Sequence, residues 1–260
     1  MTNRFRRREA ASFALILALS GCAPSARSIL ERNLEAMGGR DAIRKVESLK
    51  VVGSQKIEGG TIGLVGYWRR PNQLRWELEA DGLVGVQAYD GERAWALMPF
   101  GGDFTPRPLE GEALAELAAQ ADLLEGPTFD LAAKGASALL LGREAFDGVP
   151  AWKVEVTDAR GRKTVHWYDG QSGLELGNRQ RRPGPGGMGE IEVVTRLSDY
   201  RRVGPILFAF RSEESSPTSS APTILTLQSI ELDIEVPDDL WIMPPAPEIP
   251  EEFRIPAPSV

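Results

Sequence analysis

Residues 66–79 read Gly66-Tyr67-Trp68-Arg69-Arg70-Pro71-Asn72-Gln73-Leu74-Arg75-Trp76-Glu77-Leu78-Glu79. From Leu74 to Glu79, apolar and charged residues alternate strictly, which gives a strand one apolar face and one wet face. The same period of two returns in Trp152-Lys153-Val154-Glu155-Val156 and in Ile230-Glu231-Leu232-Asp233-Ile234-Glu235-Val236. Asp-Gly recurs at Asp81-Gly82, Asp90-Gly91, Asp147-Gly148 and Asp169-Gly170, each time between strand-like runs. Asp-Gly supplies the positive φ angles of tight hairpins, so the pattern predicts an antiparallel meander. About a dozen strands follow, near 49–58, 61–70, 74–80, 83–89, 93–98, 136–143, 151–158, 162–168, 174–181, 189–202, 206–213 and 223–236.

Helical spacing appears in few places. Ile29, Leu30, Leu34 and Met37 mark a helix over 28–37 that ends in Gly38-Gly39, and 40–46 adds a second short turn. Leu114, Leu117, Ala118, Ala121 and Leu124 form a stripe over 110–124, stopped by Gly126-Pro127, with one more turn over 129–134. A helix with an apolar stripe inside a meander is expected to lie across the apolar face of the sheet. The Gly-rich run 183–189 reads as a hairpin tip and 215–222 as a Ser/Pro/Thr loop. The tail beyond Pro244 carries five prolines and reads as extended or disordered.

Composition removes most catalytic classes. The chain has 260 residues, is 42% hydrophobic and 26% charged, and so can build a sizeable core. One cysteine excludes an internal disulfide and any multi-cysteine zinc site, and one histidine excludes every site that needs two imidazoles. A net charge of −7 argues against nucleic acid as a partner. His166, in Val165-His166-Trp167-Tyr168-Asp169, reads as a surface or cross-strand histidine, with catalysis a weaker option. Glu213-Glu214 and Asp238-Asp239 read as solvated turn charges, and the 179–182 arginine run as a solvated edge bordering the Gly-rich loop. That loop lacks the Lys-Ser/Thr ending of a phosphate cradle. The expectation is a protein that is not an enzyme and uses no cofactor and no metal.

The N-terminus reads as an address. Arg4, Arg6, Arg7 and Arg8 precede the short apolar run 10–19, in the order of a secretory signal. It ends in Leu19-Ser20-Gly21-Cys22, which resembles the lipobox of bacterial lipoproteins, so Cys22 is the expected lipidation site. Ala23 in place of Asp implies, by the proteobacterial sorting rule, export to the periplasmic leaflet of the outer membrane. Two or three acyl chains, at ~0.8 kcal/mol per buried CH₂, anchor far more firmly than one. Loss of 1–21 leaves 26 basic and 36 acidic residues, so the lipid and not charge must hold the chain to a membrane.

The window from 66 to 105 carries a family resemblance. Arg70-Pro71, the aromatic strand ending in Trp76, and Tyr89-Asp90-Gly91-Glu92-Arg93-Ala94-Trp95 resemble the LolA/LolB superfamily of lipoprotein-sorting proteins. The order of elements agrees: an N-terminal helix, five strands, a helix, then the remaining strands. The resemblance implies a curved antiparallel half-barrel of about 11–12 strands, with helices plugging its concave face over an apolar cavity. It implies acyl chains of lipoproteins or phospholipid as ligands, and a periplasmic carrier as a partner. Arg70 would hydrogen-bond the lid, and Leu74 and Trp76 would line the cavity, joined by Trp95 and by Leu114 and Leu117 of the lid. Trp76, Trp95 and the leucines also suit plain core, in which case the fold keeps no hollow and serves as a regulatory or structural envelope protein, as in RseB. The expected organisation is a signal peptide over 1–21, a tether over 22–27, the half-barrel over 28–244 and the tail over 245–260.

Overall fold

The computed structural model describes residues 24–184 and 189–246. The signal segment with Cys22, the middle of the Gly-rich tip and the tail from 247 onward lie outside the described residues. Three α-helices are α1 (Ala26–Met37), α2 (Arg40–Lys45) and α3 (Gly111–Gln120). Six strands precede α3: β1 (Ser48–Ile57), β2 (Gly60–Arg69), β3 (Gln73–Ala80), β4 (Leu83–Tyr89), β5 (Ala94–Leu97) and the short β6 (Arg107–Leu109). Seven follow it: β7 (Ser137–Phe146), β8 (Val149–Thr157), β9 (Lys163–Asp169), β10 (Glu175–Pro183), β11 (Glu190–Val203), β12 (Ile206–Ser215) and β13 (Thr223–Leu232). The mainly β class with a helical cover is as the alternation predicts. β6 is the addition, too short and too proline-bound for any period to betray it.

All thirteen strands form one antiparallel sheet in the order β6-β5-β4-β3-β2-β1-β13-β12-β11-β10-β9-β8-β7. β6 and β7 are consecutive in the chain yet stand at opposite edges, so the sheet is curved and unclosed. The chain between those edges, α3 and residues 121–136, crosses the open side. Register shifts at Val52/Gly53, Leu140/Gly142 and Glu175/Gly177 bend the sheet further.

Two of the four Asp-Gly pairs make tight hairpins. Asp81-Gly82 has φ of 52° and 76°, and Asp147-Gly148 has 47° and 82°. Both positions are left-handed, as a two-residue turn matched to strand twist demands. The other two aspartates cap wider loops: Asp90 Oδ1 accepts the amides of Glu92 (2.9 Å) and Arg93 (2.7 Å), and Asp169 Oδ1 accepts that of Gln171 (2.9 Å).

Register sorts side chains onto two faces. Leu49 opposes Trp68, Trp68 opposes Leu74, Gly66 opposes Trp76, and Leu74 opposes Tyr89. Opposed residues share a face. On the far half of the sheet, Trp152, Val154 and Val156 oppose Tyr168, His166 and Thr164 on that same side. α1 touches both β12 and β7, five places apart in the sheet, which places the helices on the inner side of the curve. α1 packs Ala26, Ile29 and Leu30 against Val154, Val156 and Tyr168. Leu34, Ile43, Leu123 and Phe129 meet Leu49, Val51, Phe208, Phe210 and Ile230. Each such large apolar side chain contributes roughly 1.5–3 kcal/mol on burial. α1 starts at Ala26, two residues before the apolar pattern, because the Ser25 hydroxyl accepts the Ser28 amide and caps it there.

The outer face carries two smaller clusters. Val86, Ala88, Trp95 and Leu97 form one, and Ala151, Val165 and Trp167 the other. β13 ends at Leu232, short of the alternating run, because the chain leaves the ladder at Asp233 (φ 54°). It then passes the outer face as a 3-10 turn at Asp238–Trp241.

Candidate functional site

The inner face between β3 and α3 begins with Leu74, which has no exposed surface. It packs with Tyr89 and Ala94 of the sheet and with Leu117 and Ala121 of the cover, while Leu114 and Ala118 close the margin. Beside it, the Trp68 and Trp76 rings meet edge to face, with centroids 4.7 Å apart at 83°. Gly66 makes room for them: a Cβ there would lie 2.5 Å from the Trp76 ring and 2.7 Å from Trp68. Both indole N–H groups reach one residue of α3. Trp68 Nε1 donates to the Gln120 carbonyl at 2.9 Å and Trp76 Nε1 to Gln120 Oε1 at 3.2 Å. Both bonds lie where water reaches, and through them Gln120 ties the end of α3 to the two rings.

Arg70 joins the remaining pieces of the cover to the sheet. It follows the last residue of β2, and its peptide bond to Pro71 is cis. Nε donates to the Val46 carbonyl at 2.8 Å and Nη2 to the Ile43 carbonyl at 3.1 Å, both at the end of α2. Nη1 lies 2.8 Å from Glu125 Oε1, in the segment that follows α3. The two side chains are only 21% and 16% exposed, so the pair is screened far less than a surface ion pair. A planar guanidinium with five donors can serve three acceptors at once, which an ammonium on a flexible stem does poorly. Arg40 makes a second tie: it pairs with Glu31, donates to the Phe129 carbonyl and stacks 5.0 Å from the Phe129 ring.

Of the residues named from the sequence, Leu74, Trp76, Leu114 and Leu117 come together here, while Arg70 meets the end of α2 and Glu125. Trp95 does not. It opposes Ala88, which opposes Arg75, and therefore stands on the outer face. There its Nε1 donates to the Trp241 carbonyl at 2.8 Å, with the Arg75 guanidinium 5.7 Å from its ring. Its place in a lid cavity is corrected by the register of β4 and β5, which no count of residues past a glycine reveals. Trp68, Gln120 and Glu125 are the residues that sequence reasoning missed. Trp68 shares parity with Gly66 and had a readable signal, whereas Gln120 and Glu125 are polar residues at a helix end and had none.

His166 is the cross-strand histidine of the sequence reading, opposite Val154 on β8 and Asn178 on β10. Its side chain is half-buried on the inner face, stacked on Tyr168, with Nδ1 2.9 Å from Glu175 Oε1. Asn178 Nδ2 donates to the same carboxylate oxygen at 3.1 Å. Among the described residues no group of three or more His, Cys, Asp or Glu is placed to hold a metal ion.

A cavity of ≈ 470 Å³ opens beside the start of α1, over β8 and β9. A second, of ≈ 380 Å³, lies near Arg182 and Glu214 at the strand ends around the Gly-rich tip. Neither lies between α3 and β3. At that interface Leu74, Leu117 and Ala121 are buried against one another.

No protein-family model matches the sequence, and no curated protein is similar to it. Solved structures are. A LolA superfamily protein from Nitrosomonas europaea superposes with a TM-score of 0.56 at 15% identity, over 84% of this chain and 98% of that one. A DUF1329 family protein from Desulfovibrio piger gives 0.55 at 13% identity, again over 84% and 98%. With its unclosed antiparallel sheet, inner helical cover and near-complete overlap with these structures, the chain has the fold of the LolA superfamily.

Proposed function

We propose that this chain is a lipoprotein of the bacterial cell envelope, anchored through Cys22 in the periplasmic leaflet of the outer membrane. It binds acyl chains of lipoproteins or lipids between its sheet and its helical cover, in lipoprotein sorting or lipid handling. The observation that carries this reading is the Arg70 junction. One guanidinium holds the end of α2 and the segment after α3 over an inner face whose exposure would be apolar. An acyl chain offers no hydrogen bonds, so only concave apolar area can retain it. In entering, it replaces the apolar contacts that the cover gives up. The opposing cost is then a few polar contacts at about 1–3 kcal/mol each, against ~0.8 kcal/mol gained per buried methylene.

A second reading is supported by the burial of Leu74, Leu117 and Ala121 against one another: the fold serves as a regulatory or structural envelope protein whose cover stays shut. Native mass spectrometry of the chain purified from a bacterial envelope, with uptake of a fluorescent fatty acid, separates the two. Co-purifying lipid and saturable uptake, faster in Arg70→Gln, support acyl binding. A lipid-free protein whose Arg70→Gln variant also takes up nothing leaves the closed scaffold.

A further inference from the structure

The cavity at the start of α1 lies apart from the cover described above and has a different chemistry. Its wall includes Pro24, Ile29, Arg32, Arg143, Trp152 and Tyr168. Arg143 and Trp152 are register partners on β7 and β8, and the guanidinium stacks 4.7 Å from the indole ring, which fixes its direction. Arg143 has no carboxylate partner among the described residues. Arg32 reaches the same place from α1, donating to the carbonyls of Gly170 and Gln171; it makes no direct ion pair among the described residues, and the Asp169 carboxylate feels its charge only at a distance. Gly170 sits between the two guanidiniums: a Cβ there would lie 3.2 Å from Arg143 Nη2.

Tyr168 is 1% exposed and lines the cavity, yet its hydroxyl has no hydrogen-bond partner among the described residues. The Trp152 N–H has none either. Neither is among the buried polar atoms left without a partner, so each still reaches solvent and is free to donate to a ligand. The one carboxylate of the wall, Asp169, is already occupied, accepting the Ser172 hydroxyl at 2.7 Å and the Gln171 amide at 2.9 Å. Two guanidiniums, against the single Asp169 carboxylate whose oxygens are engaged, therefore leave the wall with a net positive charge and a surplus of donors. That combination selects an anion with several acceptor oxygens. The volume is in the range of small-ligand pockets, and Pro24 and Ile29 add an apolar side.

We propose that this cavity binds a phosphate ester of glycerol, its oxygens on Arg143, Arg32, Trp152 Nε1 and the Tyr168 hydroxyl. Pro24 stands two residues from Cys22 in the sequence, so a lipid on that cysteine brings phospholipid headgroups to the mouth of the cavity. A headgroup and a soluble glycerol phosphate present the same chemistry. The site does not depend on acyl binding under the cover.

The test uses the full chain carrying Cys22→Ser, titrated by calorimetry with sn-glycerol 3-phosphate and sedimented with vesicles of phosphatidylglycerol or of phosphatidylcholine. Saturable binding is expected, weakened about tenfold by Arg143→Gln, the loss of one charge-assisted contact. Tyr168→Phe keeps the ring and removes only the hydroxyl, and is expected to weaken binding severalfold with an unchanged melting temperature. Phosphatidylglycerol vesicles that sediment the parent but not Arg143→Gln identify the headgroup as the source. Glycerol phosphate binding without vesicle binding identifies a soluble ester. No saturable binding, or affinity unchanged in both variants, overturns the site. Fatty-acid uptake in Arg143→Gln is expected to equal that of the parent, which separates failure here from failure of the acyl-binding reading.

Discussion

Arg70 Nη1 lies 2.8 Å from Glu125 Oε1, across a junction where the same guanidinium also serves two carbonyls at the end of α2. The pair is half-buried, so its loss is not repaired by water. Arg70→Met leaves the Glu125 carboxylate and the Ile43 and Val46 carbonyls without their donor. It is expected to cost roughly 2–4 kcal/mol in urea unfolding. Glu125→Gln, which keeps a hydrogen-bond acceptor, is expected to cost about 1 kcal/mol. A double-mutant cycle then reads the coupling directly; additive losses show that the two side chains do not act together.

Gly66 is a position where an absent side chain has a structural consequence. Its Cα faces two indole rings that a methyl group would strike at 2.5 and 2.7 Å. Gly66→Ala is expected to destabilise the protein by roughly 1–3 kcal/mol, the usual range for overpacking. It is also expected to shift tryptophan emission, since Trp68 and Trp76 must separate. Unchanged emission and stability show that the rings have another place to go.

The two faces predict different responses to two substitutions. Leu117 is 3% exposed under α3, so Leu117→Ala is expected to cost roughly 2–5 kcal/mol. It should speed hydrogen exchange in α3 ahead of β3, because the cover is the less buried element. Trp95→Phe removes a hydrogen bond to the Trp241 carbonyl on the outer face, at a cost of about 1 kcal/mol. It is expected to leave fatty-acid uptake unchanged, and a lowered uptake contradicts its assignment to the outer face.

Much of the architecture is legible because a half-buried antiparallel strand writes its faces into the sequence. Leu74 to Glu79, and Trp152 to Val156, state which residues look inward. What that code omits is phase between strands. Trp76 and Trp95 look equivalent in sequence, yet the Tyr89↔Ala94 pairing sends them to opposite sides. Bulges do the same along a strand: after Glu175/Gly177 a simple count of alternation no longer holds. Polar tertiary contacts leave no periodic trace at all, which is why Glu125, Gln120 and the His166–Glu175 pair emerge only with the fold.

Asp169 gives a pH dependence whose sign can be worked out. The Ser172 hydroxyl, the Gln171 amide and, more weakly, the Ser172 amide and the Arg32 charge hold its carboxyl below the ordinary aspartate value, against an opposing effect of burial that is weaker than the first two. A depressed folded-state pKa means that the unfolded chain takes up the proton first as pH falls. The contribution of this loop is therefore fully present above the ordinary aspartate pKa of about 4 and is lost as pH drops through the lower folded value. The residue is half-buried in a turn at the end of β9, so the effect is local: below about pH 4 the 169–173 turn is expected to loosen before the sheet does. Carboxyl carbon shifts of Asp169 followed by NMR check this, with Ser172→Ala expected to move the titration upward by removing the strongest of its donors. The same turn supplies the Gly170 and Gln171 carbonyls that position Arg32. Acid loosening of the turn therefore frees that guanidinium, and Arg32 exchange should quicken over the pH range in which Asp169 titrates.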